Sequence, residues 1–431
     1  MKKLTKTALA ATLAAFMLLT ALPLSLAAKA LAPKHNWTVP AGYNEHDYTK
    51  CVGFLEQADE DGVKNGTKLN ESYDPNDPET WERFYSGDAR FQWTSVSGEQ
   101  RLAGINVYGY NLIGSLDVSG CIALARLWCF ENQLTELDVS SCTALTELWC
   151  YENQLTELDV SSCTALTELS CSYNQLTELD ISSCTALTEL DCAGNLITEL
   201  DVLQNAALTN LICGYNLITE LDVTQNTALT GLECYYNQLT ELDVSQNTAL
   251  NYLSCSGNRL TELDVSQNTA LNYLDCWDNQ LTELDLRNNP ELPGGLIRAE
   301  GSGYVGYWGE SIVCAQPHSF VNFEGFYTEG GELISEGEFN EEYGHYYYYL
   351  PDSFGKANII ARFSPAPAGA PGSGDINGDE ATTADDAIID LRAALGLVEL
   401  PEAQLAAGDM NGDGVIDVSD AILILRAAMG L

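Results

Sequence analysis

The stretch LTELWCYENQLTELDVSSCTA, residues 145–165, decides the fold, because it states once a unit repeated from about Arg101 to Ile297 without a slip. Its Leu155 has counterparts at Leu134, Leu176, Ile197, Ile218, Leu239, Leu260 and Leu281, a constant step of 21 residues. Asp138, Asp159, Asp180, Asp201, Asp222, Asp243, Asp264 and Asp285 keep that step. So do Asn132, Asn153, Asn174, Asn195, Asn216, Asn237, Asn258 and Asn279. In LxxLxCxxNxL, Leu148, Cys150 and Leu155 alternate inward along an extended stretch, and Asn153 turns in to satisfy backbone groups that the bend leaves unpaired. One turn cannot close a core. Stacked at about 4.8 Å per strand, each covers its neighbour, and a period this strict predicts a solenoid.

Fourteen cysteines in an exported chain ordinarily announce disulfides, but the spacing here points elsewhere. Cys129, Cys150, Cys171, Cys192, Cys213, Cys234, Cys255 and Cys276 share one inner strand position. Cys121, Cys142, Cys163 and Cys184 share a turn position that Asn205, Asn226, Asn247 and Asn268 fill later. Parallel Cβ vectors on adjacent rungs suit a bridge poorly, so buried free thiols are expected, in keeping with an anoxic habitat. The pattern resembles the leucine-rich repeat family, in its short bacterial form with an inner cysteine, like the internalins. That resemblance implies an α/β solenoid with parallel β-strands over residues 101–297.

At 431 residues the chain needs several modules. Lys2, Lys3 and Lys6, an apolar run from Ala8 to Leu22, and small residues from Ala27 to Ala30 read as a signal peptide over residues 1–30, cleaved near Ala28 or Ala30. A secreted, extracellular protein is therefore expected, without membrane insertion after cleavage. The net charge of −43, with no lysine between Arg101 and Ile297, argues against nucleic acid and anionic membrane as partners. A glutamate ladder, Glu136, Glu157, Glu178, Glu199, Glu220, Glu241, Glu262 and Glu283, runs beside the aspartates and invites cations or basic surfaces.

Residues 31–100 lack the period and are expected to cap the solenoid's open end, with a short helix around Cys51, Phe54 and Leu55 and apolar groups from Trp81, Phe84, Phe91 and Trp93. His35, Glu45, His46 and Asp47 have no tight metal spacing and read as a solvated terminus. Along the repeats, Trp128, Phe130, Trp149, Tyr151, Tyr173, Tyr215, Tyr235, Tyr236, Tyr252, Tyr273 and Trp277 occupy positions alternating with the inward residues, interleaved with carboxylates such as Glu131, Glu147, Glu233 and Asp275. So many outward aromatics predict a recognition face, for sugar stacking or for a protein with basic residues.

From residue 298 to 363 the texture changes to short alternating runs, SIVCAQP, FVNFEGFY, ELIS and HYYYYLP, read as strands, the last an edge strand holding His345. Their order resembles the small repeat domain that follows the repeats in internalin-like surface proteins, which implies a small β-rich, β-grasp-like domain acting as a spacer. SPAPAGAPGSG, residues 364–374, is a linker by composition.

Residues 375–431 hold the sharpest chemistry. DINGDEATTADDAIIDLRAALGL from Asp375 returns 34 residues later as DMNGDGVIDVSDAILILRAAMGL from Asp409. Each copy opens with a calcium loop, with side-chain oxygens at positions 1, 3 and 5, a backbone carbonyl at 7 and an acid at 12. The ligands are Asp375, Asn377, Asp379, Ala381 and Asp386 in one loop, and Asp409, Asn411, Asp413, Val415 and Asp420 in the other. Thr383 and Asp417 stand at position 9, where contact often runs through water. Two Ca²⁺ ions are expected, and helices follow, with Ile388, Leu391 and Leu395 answered by Ile422, Leu425 and Met429. The pair resembles a dockerin, the α-helical module with two calcium loops that plugs into cohesin domains of cellulosome scaffolds. By that likeness Ala384, Asp385, Val418 and Ser419, with Arg392 and Arg426, are the cohesin-binding positions. The first four depart from the Ser-Thr pair common in that family, and Glu380 replaces the turn glycine kept at Gly414, implying a weaker first site.

No enzyme is expected. The four histidines, His35, His46, His318 and His345, lie outside the repeats, and no nucleophile elbow, phosphate loop or metalloprotease helix appears. The expected function is a secreted, non-catalytic binding protein docked by calcium to a cohesin and presenting its repeat face to a polysaccharide or protein. A cell-surface adhesin, or a structural subunit using the repeats only for protein contacts, is the alternative. The adhesin is the less expected of these, since the chain finishes on the dockerin-like repeat without a sorting motif or membrane tail.

Overall fold

The computed structural model describes residues 37–82, 89–317, 321–340, 344–365, 372–378, 381–398, 400 and 402–429. The expected signal peptide, His35, Phe84, His318, Asp379, Glu380 and most of the linker lie outside them.

The chain begins with helices α1 (Glu45–Leu55) and α2 (Asn65–Leu69) and a hairpin of β1 (Phe91–Val96) and β2 (Glu99–Asn106). Tyr48, Val52, Leu55, Trp81 and Phe91 are buried there against the first turn of the repeats. Asp47, fully buried, accepts from the Leu102 N–H (2.9 Å) and pairs with Arg101 (2.8 Å). His46 and Cys121 lie beside it, within 4.8 Å. His46 Nε2 is however engaged 2.7 Å from the Ser119 carbonyl, so the group serves the packing of α1.

Each repeat then contributes one short strand to a long parallel sheet. After β3 (Ile113–Asp117) come β4 (Arg126–Trp128), β5 (Gln133–Asp138), β6 (Glu147–Trp149), β7 (Glu168–Ser170), β8 (Glu189–Asp191), β9 (Asn210–Ile212), β10 (Gly231–Glu233), β11 (Tyr252–Ser254) and β12 (Tyr273–Asp275). The order β1-β2-β4-β6-β7-β8-β9-β10-β11-β12 is the sequence order, with β3 and β5 paired on another face. Leucine faces leucine throughout, Leu148 beside Leu127 and Leu169, so the 21-residue step is the register itself.

The expected α/β solenoid is instead a β-solenoid. No α-helix occurs between residues 101 and 297. The return path is a chain of tight turns, with Cys163 N–H donating to Val160 O (2.9 Å) and Leu166 N–H to Cys163 O (3.0 Å). Twenty-one residues leave too short a return for a helix once two extended stretches are laid down, and serine, threonine and aspartate favour turns. Each aspartate of the ladder accepts the N–H two residues on, at 2.8–3.0 Å. The hydroxyl and amide of Ser161 beside Asp159, and of Ser182 beside Asp180, hold those carboxyls below their usual range. The aspartates are thus parts of the turn, whereas the glutamates beside them stand exposed.

The asparagines tie successive turns together. Asn153 donates to Cys129 O (3.0 Å), Cys150 O (3.1 Å) and Tyr151 O (3.3 Å) and accepts from Leu134 N–H (2.9 Å), stitching two turns with one buried amide. Five later asparagines form a second ladder at the turn, where Asn226 donates to Val202 O and Asn205 O, each at 2.9 Å. All fourteen cysteines are buried free thiols. Burial pushes Cys150 and Cys234 up to about 12, so they stay protonated and unreactive.

Beyond the repeats, β13 (Glu283–Asp285), β14 (Leu296–Glu300), β15 (Gly303–Trp308), β16 (Ile312–Pro317), β17 (Val321–Tyr327), β18 (Leu333–Ser335), β19 (Glu338–Asn340), β20 (His345–Tyr349) and β21 (Ile359–Pro365) form two sheets, β13-β14-β21-β17-β18 and β15-β16-β20-β19. Among the described residues they carry one 3₁₀ turn and no α-helix, so the unit is β-rich without the helix of a β-grasp. The strand of His345 lies inside its sheet, between β16 and β19, rather than at an edge. Strand β14 runs across position 297/298, and one apolar core is continuous from Tyr48 to Phe363. Strand β15 closes the exposed edge of β12, with Leu274 N–H donating to Gly309 O (3.0 Å) and Cys276 N–H to Tyr307 O (2.8 Å). Lys356 Nζ donates to the carbonyls of Leu286, Asn289 and Leu292, satisfying acceptors that the last turn leaves open.

The tail has a separate core. Helices α3 (Ala384–Ala394), α4 (Glu402–Gly408) and α5 (Val418–Ala428) surround Ile376, Ala387, Leu400 and Ile424. Among the described residues no helix is long and apolar enough to cross a membrane.

Candidate functional site

The two tail loops close in the same way. In the first, Asp386 Oδ1 accepts from the N–H groups of Ile376 (2.9 Å) and Asn377 (3.1 Å), and Oδ2 from Thr383 (2.8 Å). In the second, Asp420 Oδ1 accepts from Met410 (3.0 Å) and Asn411 (3.1 Å), and Oδ2 from Asp417 (3.2 Å). Thr383 and Asp417 cap the helices that follow, receiving the N–H of Asp385 and Ser419. Within the second loop Asp409 accepts from Gly412 (2.7 Å) and Gly414 (2.9 Å), Asn411 from Asp413 (2.8 Å), and Asp413 from Val415 (2.9 Å). Gly414, at φ +84°, makes the turn that lets these oxygens converge.

Among the described residues no lysine or arginine pairs with Asp409, Asp413 or Asp420. Acceptor-only oxygens drawn together without a positive partner fit a hard divalent cation, whose charge would replace the missing counter-ion. Asp375, Asn377 and Asp386 hold equivalent places in the first loop. Ala381 and Val415 are exposed and can offer only their backbone carbonyls.

The second site is the outward face of the long parallel sheet. Its aromatics stack along the solenoid axis in rows, Tyr108 on Phe130 (4.5 Å), Phe130 on Tyr151 (4.4 Å), and Trp128 on Trp149 (4.9 Å), each within 13° of parallel. Rings stacked this way cover one another's faces and present edges. Phe130 and Trp277, expected outward, are buried among neighbouring rings, while Tyr173 and Tyr215 are about half exposed. Tyr173 lies over Gly194, and Tyr235 over Gly214, where a Cβ would clash at 2.8 and 2.7 Å.

Toward the C-terminal end Tyr252 stacks on Tyr273 (4.2 Å), but Tyr215 meets Tyr235 edge-on at 89°. Here a cleft of about 300 Å³ opens between Glu233, Tyr235, Asp275, Trp277, Trp308 and their neighbours. Asp275 is only 8% exposed. Its Oδ2 accepts from Ser256 Oγ (3.1 Å) and Ser254 Oγ (3.4 Å), and its Oδ1 meets no donor in good geometry among the described residues. Burial pushes this carboxyl up to about 7, the two serines and the Trp277 amide pulling weakly against it.

A carboxyl raised on folding binds more protons folded than unfolded between its two pKa values. The penalty is absent below about pH 4, builds up to about pH 7 and is complete above. Asp275→Asn is therefore expected to raise stability by on the order of 2–3 kcal/mol at about pH 8 and by little at about pH 4, read from thermal unfolding at both. An equal effect at the two pH values would contradict this burial.

Reasoning from sequence missed Tyr108, Trp308 and the serine pair. The signal lay in Ser254-x-Ser256 placed one turn before Asp275, which occurs once earlier as Ser170, Ser172 and Asp191.

A family model of leucine-rich repeats, two copies, matches residues 164–205, and a type I dockerin domain model matches residues 373–427. The chain carries leucine-rich repeats and a type I dockerin domain. No curated protein matches it. Among solved structures it is similar to the functional domain of InlJ from Listeria monocytogenes, which includes a cysteine ladder, with 40% identity over 46% of this chain and 49% of that one (TM-score 0.40). It is also similar to a leucine-rich repeat protein of Leptospira interrogans, with 25% identity over 40% and 54% (0.36). The internalin InlF of L. monocytogenes shows 24% identity over 37% and 56% (0.35). The chain spans about half the length of these structures.

Type I dockerins bind calcium and attach to cohesins. Ala384, Asp385, Val418 and Ser419 are exposed on the first turns of its two matched helices, and Arg392 and Arg426 on the last. Ile388, Leu391, Leu395, Ile422, Leu425 and Met429 are exposed as well, from 38% to 57%, forming two apolar faces related by the 34-residue repeat.

Proposed function

We propose that this is a secreted, non-catalytic binding protein that attaches through its dockerin, carrying two calcium ions, to a cohesin on a cellulosome-type extracellular scaffold, and there presents its repeat face to a protein. The observation that carries the reading is the pair of matched apolar helix faces left in solvent beside the calcium loops. A dockerin that hid them would have nothing to dock with. Ala384, Asp385, Arg392, Val418, Ser419 and Arg426 border those faces and select the partner.

A protein ligand is preferred to a polysaccharide because the stacked rows turn ring edges, not faces, to solvent. Sugar platforms need faces. The high negative charge adds a preference for basic surfaces.

Labelled full chain probed on arrays of extracellular proteins and of plant polysaccharides tests this. Binding to proteins, weakened at least about tenfold when Trp128, Trp149 and Tyr151 are together replaced by alanine, is the expected result. Binding to polysaccharides alone, or binding indifferent to that triple substitution, would overturn the protein-binding face. Sugar released from the polysaccharides would end the non-catalytic reading.

A further inference from the structure

The cleft at the C-terminal end of the repeat sheet brings three features together on one wall. Beside the stacked pairs Tyr252–Tyr273 and Tyr215–Tyr236, other rings of the cleft meet edge-on, Tyr215 against Tyr235 at 89° and Tyr236 against Trp277 at 85°, so the stack that covers ring faces elsewhere is broken here. Carboxylates stand among these rings, Glu233 and the almost wholly buried Asp275. One oxygen of Asp275 is unsatisfied by any donor in good geometry among the described residues.

The last point gains force from the earlier copy of the same trio. Asp191 accepts from Ser172 Oγ (2.9 Å), more distantly from Ser170 Oγ (3.3 Å), and its Oδ1 takes the Ala193 N–H at 3.1 Å. Both oxygens there are engaged, and Asp191 stands outside the cleft. At Asp275 the serines hold Oδ2 in the same way, but the Trp277 amide, which stands where Ala193 does, makes no well-aligned bond to Oδ1, on the wall of a cavity. A buried acceptor without a well-placed donor is costly, and its ionised form without a counter-charge more so. A neutral sugar hydroxyl could satisfy the first need but not the second.

We propose that this cleft receives a lysine side chain presented by a partner polypeptide, its ammonium held against the aromatic faces and donating to Asp275 Oδ1 and to Glu233. Lysine is favoured over arginine by the geometry of the acceptor. A guanidinium fork bonds best to both oxygens of one carboxylate, and Oδ2 is already taken by two hydroxyls. An ammonium is a point charge with three donors, suited to a single oxygen from each of two carboxylates. Ring faces add cation–π attraction in a partly desolvated setting. The inference rests on the reading of the repeat sheet as a protein-binding face and names the group that one end of it recognises.

The test uses the full calcium-loaded chain, about 0.15 M salt to suppress diffuse attraction, and acetylated, amidated Gly-Lys-Gly beside the same peptide with norleucine or arginine. Binding is read by calorimetry and by tryptophan fluorescence, to which Trp277 and Trp308 contribute. Saturable binding of the lysine peptide is expected, at least about tenfold weaker for norleucine and, in wild type, weaker for arginine. Asp275→Asn should weaken it at least about tenfold and Glu233→Gln by less. Glu157→Gln, which removes the same charge from the exposed ladder, should change nothing. An Asp275→Asn chain that melts no lower than wild type excludes misfolding as the cause. Equal binding of the norleucine peptide, an arginine peptide that binds more tightly, retention in Asp275→Asn, equal loss in Glu157→Gln, or displacement by cello-oligosaccharide would each overturn the proposal. A chain that loses its array ligand on the Trp128, Trp149 and Tyr151 substitution yet ignores the lysine peptide refutes the cleft alone. If the array ligand survives that substitution, the broader face reading falls, and the Asp275 comparison still decides the cleft.

Discussion

Chelating calcium from the full chain is expected to unfold the dockerin while the repeats stay intact, and to lower affinity for a type I cohesin at least about a thousandfold. Among the described residues the tail buries only Ile376, Ala387, Leu400, Ala407, Ala421 and Ile424, with Ile389, Ala393, Val398 and Met410 packed against them, little to hold three helices by burial alone. The oxygens of Asp409, Asn411, Asp413 and Asp420 are drawn into one loop and repel each other unless a cation is bound, so ion binding and folding are one event. The continuous core from Tyr48 to Phe363 contains none of these residues and should melt at an unchanged temperature. Helical circular dichroism and cohesin binding, followed as free calcium is lowered, check both halves. Asp420→Ala should imitate chelation in part, because its buried carboxylate also closes the loop on Met410, Asn411 and Asp417. A tail that keeps its helices and its cohesin without calcium would refute the attachment mechanism.

Asn216→Ala should cost on the order of 2–4 kcal/mol and lower the melting temperature of the repeats by roughly 5–15 °C. The Asn216 amide donates to Cys192 O (3.0 Å), Cys213 O (3.1 Å) and Gly214 O (3.3 Å) and accepts from Ile197 N–H (3.0 Å). Alanine would strand the buried Ile197 N–H and take one donor from each of the three carbonyls, which keep Asn195, Asn237 and the Gly194 N–H respectively. Asn226→Cys is the informative contrast. Its amide makes two bonds, and the chain itself places cysteine at that turn position in earlier repeats, where Cys184 Sγ lies 3.6 Å from Val160 O and 3.7 Å from Cys163 O. That change should cost only about 1–2 kcal/mol. Chemical denaturation of the two variants separates them, and equal losses would show that the two asparagine ladders do not differ as described.

The sequence by itself determined what recurs. A residue repeated every 21 positions has the same neighbours in every turn, so Leu155, Cys150 and Asn153 could be placed inward before any coordinates existed. The oxygen spacing from Asp409 to Asp420 likewise belongs to a short segment whose geometry is local. Only the tertiary structure decided what is not periodic. The return path proved to be turns rather than helix, because the choice depends on how much chain remains after two extended stretches are stacked. The six apolar residues of α3 and α5 proved exposed, since helical spacing gives a face but not what covers it. The cleft around Asp275 exists because β15 crosses the end of the sheet and brings Trp308 to it, with His345 following from β20. A contact between segments so far apart in the chain leaves no mark in the spacing of either one.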